Sequence, residues 1–358
     1  MLTAACTMTG SDGKAPAPVV VYQQDTASDS AARQHVDTCV MALTGDIMMG
    51  TTYPEHALPP DDGAALFADT KDILRRADIA AGNLEGTFCD TLGITKKKDS
   101  EHSYSFRTPV EFAPRLKEAG YDFICMANNH ALDFGYDGVR STEAELDKLG
   151  IRYAGLQGRN KFAVAERGGV RYGFCAFGHN SYTLRHREEN KVKEILDTLR
   201  TMADIIIVSF HGGGEGKEYS HLPYDKEKYL NEDRGSLRKF ARFCIDNGAD
   251  VVFGHGPHVV RCVELYKDRI IAYSLGNFCT PYAISIAGIS GFAPILEVKT
   301  DRQGRFLTGQ IHSFMQRKGE GPRKDAAHNA ARQIASLTQT DVPDGKLRID
   351  TNGKITKK

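Results

Sequence analysis

The chain has 358 residues, enough for one large core with an appendage or for two smaller domains. Its 46 Lys and Arg balance 46 Asp and Glu, which argues against non-specific nucleic-acid binding, a function that needs a basic face. No apolar run is long enough to cross a bilayer as a helix. At the start, Met1-Leu-Thr-Ala-Ala-Cys6 places small residues before a modifiable Cys, as at the end of a bacterial lipoprotein signal, though the basic and longer apolar portions are missing. A chance match is the other reading. Ser, Ala, Asp, Gln and Pro dominate residues 7–36, so 1–37 read as a flexible tether, with membrane contact only through a lipid anchor at Cys6.

Folding is expected from residue 38. A strand at 38–45 is followed by helical spacing over 64–77, then Asp78-Ile-Ala-Ala81 running into Gly82-Asn-Leu-Glu85. Residues 91–105 are polar and read as an exposed loop. Helices are expected at 111–119 and 138–149, each stopped by Gly, with a strand at 122–127 between them. Val170–Phe177 pairs with Ala163–Glu166 through Arg167-Gly-Gly169, a hairpin signal. Helices at 188–202 and 233–247 alternate with strands at 205–210 and 251–254, which implies βαβ units. Two further hairpins turn at Tyr266-Lys-Asp268 and Asp301-Arg-Gln-Gly304. The expected organisation is an α/β domain over 38–325, then a modest helix and a basic tail over 326–358. The eight cysteines, Cys6, Cys39, Cys89, Cys125, Cys175, Cys244, Cys262 and Cys279, form no CxxC pair, and Cys125 and Cys175 sit in apolar runs as small buried hydrophobes.

Four apolar runs stop at a metal-competent side chain. Val40–Leu43 stops before Thr44-Gly-Asp46, and Phe123–Ala127 before Asn128-Asn-His130. Ile205–Phe210 stops at His211-Gly-Gly-Gly-Glu215, and Val251–Gly254 at His255-Gly-Pro-His258. Runs of this kind read as buried strands, and ligands of α/β sheets bind beyond strand carboxyl ends. Asp46, Asn83, Glu85, Asn129, His130, His211, Glu215, His255 and His258 therefore suggest a site with N and O ligands for a divalent metal. A single strand-end His is more often a hydrogen-bonded loop residue, and Asn128-Asn129 are ordinary turn formers. The joint pattern at successive strand ends is what points to a site.

The ordered motifs Gly45-Asp-Ile-Met-Met-Gly50, Gly82-Asn-Leu-Glu-Gly86, Ala127-Asn-Asn-His-Ala-Leu-Asp-Phe-Gly135, Ser209-Phe-His-Gly-Gly-Gly-Glu-Gly216, Gly254-His-Gly-Pro-His258 and Tyr273-Ser-Leu-Gly-Asn-Phe278 closely resemble the CapA family, associated with bacterial capsule and poly-γ-glutamate synthesis. That family is similar to calcineurin-like metallophosphoesterases. The resemblance implies a four-layer βαββα sandwich of the metallophosphatase type. It also implies one or two divalent ions (Mn, Zn or Fe) on Asp46, Glu85, Asn129, His211, His255 and His258, with Asn83 as the alternative bridging group. His130 takes the role of acid, and Asn83, Asn128, Glu215 and Asn277 that of substrate contacts. Three departures stand out: Met48 replaces an imidazole, Glu85 follows Asn83 where an Asp-based bridge belongs, and two residues rather than one separate His255 from His258. The implied function is a cell-envelope protein of capsular polysaccharide or poly-γ-glutamate production with a phosphoesterase-like site. The alternative is a non-catalytic assembly or export factor that keeps the fold. The implied partners are an anionic envelope polymer or its precursor and capsule-synthesis membrane proteins, with no nucleic acid. The loop 86–108, carrying Lys96–Lys98, His102, Tyr104 and Arg107, is either a contact for an anionic substrate or a solvated insertion.

Overall fold

Along Thr38–Ile47, Cys39, Met41 and Leu43 enter one core and Ala42 enters another, so the strand is buried on both faces. Ile79–Leu84 divides in the same way, with Ile79 and Ala81 against Ala80 and Leu84, and so does Phe123–Cys125, with Ile124 opposed to its neighbours. This period-two division between two apolar environments is why the runs carry almost no polar residues until their ends. The computed structural model that shows this describes residues 38–90 and 104–358.

Two sheets carry the fold. In the larger, Arg152–Ala154, Phe123–Cys125, Ile79–Leu84 and Thr38–Ile47 are successive parallel neighbours. Ile295–Asp301, Phe306–His312, Lys354–Lys357 and Leu347–Ile349 extend it in antiparallel fashion. The short strand Asn277–Cys279 pairs with the end of Thr38–Ile47. The smaller sheet runs Val263–Tyr266, Arg269–Ala272, Val251–His255, Ile205–His211, Val170–Phe177, Phe162–Arg167. Between the sheets lies one apolar core, where the rings of Phe123 and Phe174 stack at 4.9 Å. Helices Lys71–Arg76, Pro114–Ala119 and Gly135–Lys148 cover the larger sheet's outer face through Leu74, Leu116, Val139 and Leu146. Glu189–Met202 and Leu237–Asp246 cover the smaller sheet through Leu196, Leu199, Phe240 and Cys244. The layers are thus helix, sheet, sheet, helix, the four-layer sandwich expected. All three expected hairpins form, and the seven cysteines among the described residues are buried.

Three expectations need correction. The helix expected over 64–77 is confined to Lys71–Arg76, with turns before it; Thr70 donates its hydroxyl to the Phe67 carbonyl (3.3 Å), a local bond that competes with helical pairing. The helix expected at 233–247 is shorter, Leu237–Asp246, because Glu232–Gly235 is instead the second strand of a small hairpin. The domain does not end at 325. Asn329–Asp341 is a helix as expected, and it packs against edge strands of both sheets, with Thr338 Oγ1 accepting the Val263 amide at 3.0 Å. The expected tail is two strands of the larger sheet, and Leu347 and Ile355 are buried. Each of these strands has too few apolar residues to register as a periodic signal. The exposed-loop reading of 91–105 falls largely outside the described residues.

Ile355→Ala is expected to lower unfolding stability by about 2–4 kcal/mol, the cost of emptying a core position. Urea denaturation reads it; a change under about 0.5 kcal/mol, that of a surface site, would restore the tail.

Candidate metal centre

Strand register assembles the site. Thr38–Ile47 slips register against Ile79–Leu84 between Leu43 and Asp46, gaining one residue. Such a bulge re-aims the side chain that follows it, and it leaves Asp46 opposite Asn83 on one side and Asn277 on the other. The approach is close: the Asp46 amide donates to the Gly276 carbonyl at 2.9 Å, and a Cβ on Gly45 would lie 1.8 Å from that oxygen. Only glycine fits there. In the smaller sheet His255 pairs directly with His211, so their Nδ1 atoms stand 3.0 Å apart. The closing turn then reverses through Gly256 (φ +112°) and His258 (φ +57°). That double left-handed step lets both histidines reach one carboxylate despite the two residues between them. His255 Nδ1 is 3.7 Å from Asp46 Oδ1, and His258 Nδ1 is 3.2 Å from Asp46 Oδ2.

Asn83 holds the two acids. Its Nδ2 donates to Asp46 Oδ1 (2.8 Å) and to Glu85 Oε2 (2.6 Å). Asn128 in turn donates to Asn83 Oδ1 (2.9 Å) and to the Leu84 carbonyl (2.7 Å), while its Oδ1 accepts the His130 amide (3.0 Å). Asn277 Oδ1 accepts from His258 Nδ1 at 2.9 Å. Asn83, Asn128 and Asn277 are fully buried, with their amides committed to protein groups. In this arrangement they hold the ionisable groups in place. Glu215 reaches His258 Nε2 at 4.0 Å and is paired with Arg234 at 3.1 Å. Asn129 is half-buried beside the cluster, its carbonyl accepting from the Tyr182 hydroxyl at 2.9 Å. His130 stands on the far side, Nε2 3.8 Å from Glu85 Oε1. Of the loop proposed to meet an anion, Lys96–Lys98 and His102 lie outside the described residues. Arg107 is held by Thr52 Oγ1 at 2.9 Å, and Tyr104 is exposed.

Several contributors were not singled out from sequence. Asp133 Oδ2 accepts from His130 Nδ1 at 2.7 Å and from the Phe106 amide at 2.8 Å, while the Phe106 ring covers the imidazole at 4.4 Å. The i, i+3 spacing of His130 and Asp133 was the available signal. Ser209 Oγ lies 2.8 Å from His255 Nε2, and its position two before His211 puts both on one face of the strand. His179, His186 and Arg234 are buried nearby, and no apolar pattern points to them.

Asp46, Glu85, His211 and His255 are wholly buried, and burial sets their electrostatics. Burial works against the Asp46 carboxylate, but His258, then His255 and Asn83, outweigh it and hold its pKa below the ordinary value. For Glu85, burial and then the charge of Asp46 drive the pKa well up. Burial draws His211 well down and His255 to about 4. At His258 burial is overcome by Asp46, Glu85 and Glu215, which raise it to about 10. Asp46 Oδ2, Glu85 Oε1 and His211 Nε2 are buried without a hydrogen bond. Asp46, His211 and His255 each offer an atom within 4.8 Å of the others. A Cβ on Gly256 would come within 3.2 Å of His211 Nε2, so glycine keeps that nitrogen open. Orphaned buried ligand atoms of mixed N and O type, around one point, fit a divalent cation.

The family model described as "Bacterial capsule synthesis protein PGA_cap" matches residues 40–282. The chain belongs to this family. It is 30% identical over 363 residues to "PGA biosynthesis protein CapA" of Bacillus subtilis (strain 168), covering 94% of this chain and 86% of that protein. It is 28% identical over 259 residues to "Capsule biosynthesis protein CapA" of Bacillus anthracis, covering 66% and 59%. A solved hypothetical protein from Thermus thermophilus aligns with a TM-score of 0.47 and 17% identity, over 77% of this chain and 99% of that one. The matched span holds every motif residue of this PGA_cap member's site, from Asp46 to Asn277.

Burial pushes His186 down to about 3. The folded chain keeps it neutral while the unfolded chain protonates it below about 6.5. The unfolded state then binds more protons, so stability falls as pH drops from about 6.5, by about 1.4 kcal/mol per pH unit for this group. His186→Leu is expected to make urea-derived stability less steep in pH over that window. An unchanged slope would contradict a buried neutral imidazole.

Proposed function

We propose that this protein acts at the bacterial cell envelope in the synthesis of capsular polymer or poly-γ-glutamate, as a hydrolase of phosphoesters whose site holds one or two divalent ions. The observation that carries the reading is the set of buried ligand atoms on Asp46, Glu85 and His211 that lack a hydrogen bond. Family membership supports the setting, since the Bacillus relatives are named for PGA and capsule biosynthesis. An anionic envelope polymer or its precursor is the substrate class, and capsule-synthesis membrane proteins are the partners in this reading.

Asp46, Glu85, His211, His255 and His258 would hold the metal, with Asn129 at its edge. A bound divalent cation lowers the pKa of water and polarises a phosphoryl oxygen. The chain's own groups do the rest. An ionised Asp133 only accepts hydrogen bonds, so His130 must donate from Nδ1. That fixes the tautomer and leaves Nε2, on the Glu85 side, as the nitrogen that takes up a second proton and, from the imidazolium, gives it to a leaving oxygen. Phe106 seals the ring from solvent and, through its amide, fixes Asp133. Asn83 separates the two carboxylates with a donor aimed at each.

Met48 favours a second reading, a binding or assembly factor. It is buried at the position where the related enzymes place an imidazole, and it offers no nitrogen to a cation. Two variants separate the readings. His130→Ala is expected to keep its metal and lose turnover of a chromogenic phosphodiester by about 10²–10⁴-fold. His211→Ala with His255→Ala is expected to lose both metal and turnover. Unchanged metal content and turnover in all variants would reject the hydrolase. A metal-free chain that still supports polymer export would establish the assembly factor.

A further inference from the structure

The hairpin Glu227–Tyr229/Glu232–Gly235 turns through Leu230 and Asn231, both left-handed, the two-residue turn that matches strand twist. Alternation along its second strand sends Asp233 outward to Arg187 (3.0 Å) and turns Glu232 and Arg234 the other way. Its base is pinned by Arg261, whose Nη1 and Nη2 reach the two oxygens of Glu227 at 2.8 and 2.6 Å in a buried pair. Glu227 also accepts the Gly214 amide at 3.0 Å, which ties the hairpin to the loop after His211.

This places a chain of polar groups along one rim of the site. The His179 ring lies 6.0 Å from that of His211. Glu232 Oε2 is 3.6 Å from His179 Nε2 and 2.9 Å from Arg234 Nε, and Arg234 Nη1 is 3.1 Å from Glu215, which approaches His258. The donors are buried: His179 is 6% exposed and Arg234 4%. Glu232, with its side chain 53% exposed, reaches in from solvent. Its carboxylate fits them poorly. Neither ring nitrogen of His179 has a hydrogen bond, and Arg234 Nε, although 2.9 Å from Glu232 Oε2, is not aligned for one. Buried donors left unsatisfied beside a solvent-facing carboxylate are costly unless another acceptor takes its place.

We propose that His179 and Arg234 form an oxyanion subsite beside the metal centre, occupied in the resting chain by the Glu232 carboxylate, which a carboxylate or phosphate group of the substrate displaces. The guanidinium, backed by the Tyr229 ring at 5.1 Å, supplies a planar fork for two oxygens, and His179 supplies an N–H. The low Glu232 pKa, about 2, caused by His179 and then Arg234 against burial, agrees with a seat that favours an anion. The subsite deepens the hydrolase reading and names its substrate as anionic away from the reacting bond, yet its donors belong to the chain and need no metal.

Calorimetric titration of the full chain with inorganic phosphate and with a γ-linked triglutamate tests it, before and after chelation. Glu232→Gln removes the competing charge and is expected to tighten binding about tenfold, while Arg234→Met and His179→Gln weaken it by a similar factor, the size of one charge-assisted hydrogen bond. Glu232 is half-exposed, so its variant folds even if Arg234→Met does not. The probe that gains more from Glu232→Gln identifies the anion as phosphate or carboxylate. Persistence of these differences in the chelated chain upholds the subsite even if the metal reading fails. Binding that vanishes on chelation and ignores Glu232→Gln and His179→Gln overturns the subsite and leaves the metal centre standing.

Discussion

Two carboxylates, Asp46 and Glu85, are buried side by side at the joint between two sheets. An isolated buried charge is among the most expensive features a fold can carry, and here a single neutral amide, that of Asn83, donates to both. The surroundings follow from that constraint. Three histidines converge from the second sheet, and His258 is driven cationic by the acids it faces. Even so, Glu85 Oε1 has no hydrogen bond, and Asp46 Oδ2 meets only the His258 ring at 3.2 Å. The geometry is stable as a polar island only if positive charge is shared across it. A divalent cation meets that requirement where protons alone leave acceptors unsatisfied.

The backbone is arranged to deliver this cluster. The bulge after Leu43, the contact of Gly45 with Gly276, and the left-handed step at Gly256 and His258 are each local departures from regular strand geometry. Each sits where a ligand side chain must be turned onto the same point. The apolar strands behind them are regular, and the irregularity is confined to their ends, which is where a doubly covered sheet can place polar chemistry without burying unsatisfied backbone.

That division explains what could be read from sequence. Phe123–Ala127, Ile205–Phe210 and Val251–Gly254 were legible as strands because both faces are buried, and the first polar residue after each is a site residue. His258 could be placed because Gly256-Pro257 forces a turn. Asp133 was hidden because its partner is set by a loop rather than by strand periodicity. His179 and Arg234 were hidden because the small hairpin that carries Arg234 has no apolar alternation, and its sequence Glu232-Asp-Arg-Gly235 reads as a polar helix start. The two terminal strands escaped for a related reason: Ile355 is the one buried residue that ties Lys354–Lys357 into the sheet core.

Met48, two residues after Asp46, is buried and offers no nitrogen to a cation, so the number of ions held is a matter of ligand count rather than of access. The direct measurement is anomalous X-ray diffraction from crystals of the full chain grown with excess Mn²⁺ or Zn²⁺. The account requires an anomalous peak bounded by Asp46, His211 and His255. No peak there at saturating metal, or a peak only at other residues, would contradict it.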